Sequence, residues 1–474
     1  MQFTTLAYAK FLVLAFVVTW LFSQARRLRL LFLLGASYFF YAQSGVRFLA
    51  LIFACSTADF LLSHAIGRAS EPAVRKRWLV LTVVMNLGVL GFFKYLHFGV
   101  DNAQAALAAL GVHLPRLALS ITLPVGISFF TFESMSYVID VYRGDIEPHE
   151  SYLEYLTFVA FFPHLVAGPI VRPRDLLPQL ARAPQWDERE ASKALLLIAT
   201  GLLKKLAIAD YLGLNLVDRV FDAPTQYSAL ECYVAVVAYA VQIYTDFSGY
   251  TDIAIGSAAL LGVRFPANFA APYQAFDIVD FWRRWHISLS SWFRDYVYIP
   301  LGGNRGSKPR LYFNVFLTFL LSGFWHGASW NYVMWGAYHG LLLVIFRALE
   351  EFMPSVFRAR WLRPVRIIGM FALVNLGWLM FRETNIHQLL RDLQLRPSAD
   401  SSAQRLAAAH FIGLIVFYSI PLWLDSALYL SRTYQRARAT LVWAMMEGAA
   451  AVALIAAIAL FYSEVPSDFI YFQF

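Results

Sequence analysis

Apolar stretches close to the ~20 residues that a helix needs to cross a bilayer recur from one end of this chain to the other. They lie near residues 5–22, 28–41, 48–62, 78–93 and 117–137, then 152–170, 191–209, 230–245, 313–324, 328–346, 367–381, 411–423 and 441–461. Over 474 residues, 59% are hydrophobic and 15% charged, whereas a soluble protein carries roughly 25% charge. Too few charges remain to cover a water-facing surface, which excludes a soluble enzyme and a disordered scaffold. In lipid a helix satisfies its own backbone groups, so the reading is an all-α polytopic membrane protein.

The short connections orient it. The first loop holds Arg26, Arg27 and Arg29 and the third Arg68, Arg75, Lys76 and Arg77, while the intervening loops offer little beyond Arg47, Lys94 and Arg116. Basic loops stay in the cytoplasm, so the N-terminus is expected outside the cytoplasm. The first stretch lacks a basic leader and a small-residue cleavage site, so it reads as retained. The net charge of +8 belongs with membrane lipid rather than nucleic acid. Cys55 and Cys232, the two cysteines, sit in apolar runs and read as small hydrophobes.

Beyond Asp140 the apolar runs are interrupted by Pro, Gly and charge. Phe161-Phe162-Pro163-His164-Leu165-Val166-Ala167-Gly168-Pro169 breaks its helix twice, because proline removes a backbone donor and disfavours helix just before it. Broken backbone at membrane depth must face protein or a water-filled cavity. The pattern predicts about eleven full spans plus re-entrant helices. All of residues 1–474 then form one membrane domain, with peripheral helices over 1–140 and a cavity-bearing core over 141–474. Residues 391–405, rich in Ser, Asp and Arg, read as an exposed loop.

Soluble-enzyme motifs are absent, and Gly302-Gly303-Asn304-Arg305-Gly306-Ser307-Lys308 has the wrong spacing for a P-loop and reads as a tight turn. Chemistry concentrates in two places. Residues 277–310 gather Arg283, Arg284, Arg294, Arg305, Lys308 and Arg310 against Asp277, Asp280 and Asp295, among Trp282, Trp285 and Trp292. This is either an amphipathic helix in the cytoplasmic interface, tryptophans in lipid, or a cavity mouth where arginines receive an anionic donor. The second place is Leu321-Ser322-Gly323-Phe324-Trp325-His326-Gly327, an imidazole inside an uncharged apolar run, flanked by glycines that leave room for a reactant. An ionisable group there is a functional candidate. A neutral His326 could take the proton of an attacking hydroxyl, or be structural. His286 could orient, relay a proton or meet an acyl donor. His164 could line the cavity, and His339 reads equally well as packing. No close-spaced set of ligands announces a metal site.

The chain resembles the membrane-bound O-acyltransferase family, and within it the bacterial branch typified by an alginate O-acetyltransferase membrane protein. The resemblance rests on Asp280-Phe281-Trp282-Arg283-Arg284-Trp285-His286-Ile287-Ser288-Leu289, on Tyr298-Ile299-Pro300-Leu301-Gly302-Gly303-Asn304-Arg305 and on Gly323-Phe324-Trp325-His326-Gly327. Supporting segments include 123–129, 162–170, Asp246-Phe247-Ser248-Gly249-Tyr250-Thr251-Asp252 and the terminal Phe469-Ile470-Tyr471-Phe472-Gln473-Phe474. It implies a ring of transmembrane helices around a central funnel, with His326 as the catalytic histidine and His286 as a second active-site position. Trp325, Trp282, Trp285, Arg283, Arg284, Arg294 and Asn304 would then bind the donor or line the tunnel. Glu133, where many relatives have glutamine, receives no role.

The expected reaction is acetyl transfer from acetyl-CoA, bound as substrate with no resident cofactor, to a hydroxyl across the membrane. A periplasmic SGNH-type acetyltransferase or similar protein would pass the group to an exopolysaccharide such as alginate. Two other readings compete: D-alanyl transfer to teichoic acid, and a polysaccharide transporter or flippase without acyl chemistry.

Overall fold

A computed structural model describes every residue except 114, 116–120, 356–358, 384, 398–399, 432–439, 462–468 and 470–474, and the described residues form helices and loops with no strand. Two compact units are present, one made of residues 1–186 with 257–266, the other of 187–256 with 267–474.

The first unit begins with α1 (Leu6–Leu21), α2 (Arg26–Ala42), α3 (Arg47–Arg68) and α4 (Pro72–Ala109). It continues with α5 (Ile127–Arg143), α6 (Tyr152–Ala160), the single turn α7 (Phe162–Leu165) and α8 (Pro173–Ala181). The run expected at 117–137 enters its helix only at Ile127, and residues 117–120 lie outside the described residues. The proline-rich break is where the sequence places it. Helix α6 stops at Ala160, α7 follows for four residues, and residues 169–172 take no regular structure before Pro173. Arg29 braces this unit by donating to the carbonyls of Ser23, Leu180 and Arg182.

The second unit contains α9 (Glu188–Leu202), which runs on into π-helical turns at Leu203–Ala209 and Gly213–Val217, and α10 (Ala229–Leu260), whose last turn belongs to the first unit. The short helices α11 (Ile278–Arg284) and α12 (Ile287–Phe293) come next. After them stand α13 (Lys308–His326), α14 (Trp330–Phe352), α15 (Arg363–Arg382), α16 (Ile386–Asp392), α17 (Ser402–Leu430) and α18 (Leu441–Phe461). Among the described residues, α3, α4, α14, α15 and residues 402–428 of α17 are long and apolar enough to cross a bilayer, with shorter apolar helices at Leu6–Leu21 and Met445–Ala456. Helix α10 is long enough, but it carries Glu231, Asp246 and Asp252. The protein is an all-α multi-pass membrane protein.

Part of the stretch expected as an exposed loop is built in. Asp400 is buried, and its carboxylate accepts the backbone N–H groups of Ala229 and Leu230 at the start of α10. Ser401 caps α17 reciprocally with Gln404. Aspartate satisfies the donors that a helix start leaves unpaired, which is why this polar stretch folds inward.

Candidate active site

Helices α13 and α14 form a tight antiparallel hairpin. A Cβ on Gly323 would lie 2.2 Å from the carbonyl oxygen of Tyr332 and 2.7 Å from the Cα of Gly336. A Cβ on Gly327 would lie 2.2 Å from the Tyr332 ring. The glycines around His326 therefore let two helices meet, and the space expected for an approaching reactant is filled by α14.

His326 is the last residue of α13 and is buried. The sequence suggested an imidazole inside an apolar span. The fold puts it at a helix end, because Gly327 takes extended backbone and starts the turn into α14. At 1.5 Å per residue, Lys308 at the other end is about 27 Å away, close to the hydrocarbon thickness of a bilayer. His326 packs against Trp325 (5.0 Å between ring centroids), Trp335 (4.9 Å) and Phe381 (5.3 Å). Trp335 also meets His339 at 4.8 Å and Trp282 at 5.6 Å. Edge-on aromatic contacts of this kind hold rings in defined orientations.

The tryptophans of the basic segment do not sit in lipid. Trp282, Trp285 and Trp292 are buried, and Trp285 packs on Trp378 at 4.7 Å and on Phe269 at 5.1 Å. The expected amphipathic helix is broken between α11 and α12, where His286 adopts left-handed backbone at φ 42°. The break is clamped from the preceding loop. Ala270 N–H donates to the Arg284 carbonyl and Ile287 N–H to the Asn268 carbonyl, each at 2.9 Å. His286 Nδ1 lies 3.1 Å from Asn268 Oδ1, and Phe247 meets the ring edge-on at 4.7 Å. Burial pushes this imidazole down to about 3, because a low dielectric disfavours the charged form. His286 is neutral at pH 7.

The expected donor-binding residues separate into two groups. Arg284 pairs with Asp280 at 2.8 Å and donates to the Ala270 carbonyl, so it frames the loop. Arg283, Arg294 and Asn304 are exposed; Arg294 pairs with Asp295, and Asn304 accepts from the Tyr298 hydroxyl. Gly302, Gly303 and Gly306 all take positive φ in the expected tight turn.

This arrangement supplies a buried imidazole at a helix end, a second neutral one in an aromatic wall and exposed cations beside it. A family model for membrane-bound O-acyltransferases matches residues 142–387, just over half of the chain and including every residue of this site. The chain belongs to the membrane-bound O-acyltransferase family. It is 44% identical to a probable alginate O-acetylase of Azotobacter vinelandii over 76% of its own length and 71% of that protein's. It is 39% identical to a probable alginate O-acetylase of Pseudomonas putida over 98% of both chains. It is also 35% identical to a peptidoglycan O-acetyltransferase of Helicobacter pylori over 77% of its length and 73% of the relative's. The chain is thus an O-acyltransferase, and its relatives place it among the membrane O-acetyltransferases.

Several buried polar groups of this family member escaped the sequence reading. Asn268 carried no signal, being a lone amide in a largely apolar loop. Lys205 is 1% exposed, with its Nζ 2.7 Å from both Asp210 and Asp246, and Lys204 reaches Asp252 at 2.8 Å. Consecutive lysines in an apolar helix were the available clue, since a buried cation requires partners. In the first unit, fully buried Glu133 lies 2.7 Å from His164 Nδ1 and accepts the N–H of Val171. It pins the strap formed by the proline break, so Glu133 has a structural task, and His164 is fully buried beside it.

Proposed function

We propose that this protein passes acetyl groups from a cytoplasmic thioester donor, acetyl-CoA, across the bacterial inner membrane for O-acetylation of an exported polysaccharide, alginate. A periplasmic acetyltransferase of SGNH type is the partner that receives the group. The observation that carries this reading is the buried imidazole of His326 at the junction of α13 and α14, on the segment that the family resemblance marks as catalytic. The near full-length likeness to a probable alginate O-acetylase supports the substrate class.

In this reading His326 takes the proton of the acceptor hydroxyl as its oxygen attacks the thioester carbonyl. The tetrahedral intermediate collapses, the C–S bond breaks, and the proton passes from the imidazolium to the leaving thiolate. A base at hydrogen-bond reach contributes ~10²–10⁴-fold, and holding the two reactants in line adds proximity. Arg283 and Arg294 supply positive charge for the donor's phosphates, while Trp282, Trp285 and Trp325 wall the path against water.

The test is His326→Ala in the native host. Acetyl esters on the exported polymer are expected to fall ~100-fold or more, with polymer export and protein level unchanged. Full acetylation at normal protein level overturns the proposal. Loss of export itself indicates a transporter, and loss of D-alanyl esters indicates the teichoic acid reaction.

A further inference from the structure

We propose that Asn268 is a positioning residue that locks His286 in its Nδ1–H tautomer, leaving Nε2 as a bare lone pair that accepts from an O–H or N–H group of the reactants. The assignment follows from which atoms can donate. Asn268 is 1% exposed, and its Oδ1 lies 3.2 Å from the backbone nitrogen of Ser288. A backbone N–H only donates, so the Asn268 atom facing it is the carbonyl oxygen and not the amide nitrogen. The Ser288 hydroxyl donates to the same oxygen at 2.9 Å. His286 Nδ1 is 3.1 Å from that oxygen and 3.5 Å from the Ser288 hydroxyl, whose proton goes to the nearer oxygen, so Nδ1 carries the ring's proton. A neutral imidazole has one N–H, so Nε2 has none.

Two further observations give this orientation a purpose. Nε2 is buried and has no hydrogen-bond partner among the described residues, which leaves an acceptor unsatisfied and is costly in a buried site. His286 also holds φ 42° and ψ 56°, a left-handed conformation that is strained for a non-glycine residue. Strain and an unsatisfied acceptor on one residue are expected where a site is organised for a ligand. Bound this way, His286 cannot donate to an oxyanion. It can only take a hydrogen bond or a proton, which narrows the three roles open to it in the sequence. The proposal rests on the acyl-transfer reading of the site.

The experiment uses the full chain with ¹⁵N-labelled histidine in lipid nanodiscs at pH 7, with the His286 signals assigned by their loss in His286→Gln. The protein is expected to show protonated Nδ1 and unprotonated Nε2. A protonated Nε2 overturns the proposal. In Asn268→Ala the ring is expected to redistribute toward the Nε2–H tautomer, and kcat for acetyl transfer from acetyl-CoA to fall about 10–100-fold with KM changed less than about twofold. Asn268→Asp, which keeps an acceptor oxygen, is expected to retain the Nδ1–H tautomer and to recover most of kcat. An unchanged tautomer in Asn268→Ala, or a changed tautomer with unchanged kcat, overturns it. The tautomer is read without turnover, so failure of the acyl-transfer reading, seen as full acetylation by His326→Ala, is distinguishable from failure of this one.

Discussion

At the scale of the residue, the site is governed by what burial does to imidazole. His286 loses its solvent, and desolvation alone moves it down to about 3, so it carries no charge anywhere in the physiological range. The sign is definite. A histidine ordinarily titrates near 6.5, so between about 6.5 and 3 the unfolded chain binds a proton at this position that the folded chain does not. Acidification through that window therefore weakens folding, and the contribution is fully present above about 6.5. The ¹⁵N shifts of His286 are expected to stay constant from pH 8 to pH 5, and an inflection near 6.5 would show an open, solvated ring. Any inflection of the rate near neutral pH then belongs to another group. His286 was visible in the sequence as a histidine among arginines and tryptophans; its tautomer was not. That depends on Asn268, 18 residues earlier, whose oxygen is brought to the ring only by the clamp across the α11–α12 break.

Among elements, the α13–α14 hairpin shows how glycines beside a buried histidine can be read with the wrong neighbourhood. Glycines on both sides of His326 suggest space when only the strand of letters is considered. In the fold, Gly323 and Gly336 stand at a backbone-to-backbone contact, and Tyr332 fills the place beside Gly327. Small residues at such crossings let helices gain packing in a solvent that offers no hydrophobic drive between them. Gly323→Ala is expected to push α14 away, since its methyl would meet main-chain atoms that cannot rotate aside. A loss of about 1–3 kcal/mol follows from overpacking, seen as a lower unfolding temperature in detergent with parallel loss of acetyl transfer. An unchanged unfolding temperature would mean that the helices relax without strain. The proline break after Ala160 was legible for the opposite reason, because proline acts through local sterics wherever it stands.

For the whole molecule, the distribution of charge makes the orientation in the membrane a testable expectation. Arg305, Lys308 and Arg310 gather at the start of α13, and the turn after His326 lies about 27 Å further along the helix axis. With the positive end in the cytoplasm, Ser307 and Ser329 are expected on opposite sides. Cys55 and Cys232 are both buried, so a cysteine-labelling background is low. In Ser307→Cys, an impermeant maleimide is expected to react from the cytoplasmic side alone, and in Ser329→Cys from the periplasmic side alone; the reverse pattern would invert the topology. The sequence by itself determined that this is a helical membrane protein and where its proline break falls, because hydropathy and proline sterics are properties of local stretches. Only the tertiary structure decided that the tryptophans form an interior wall, that Lys205 has two carboxylates, that Glu133 pins a strap and that Asn268 orients His286. Each of these joins groups distant along the chain, and hydrogen bonds and ring contacts are decided by ångströms that no spacing in the sequence records.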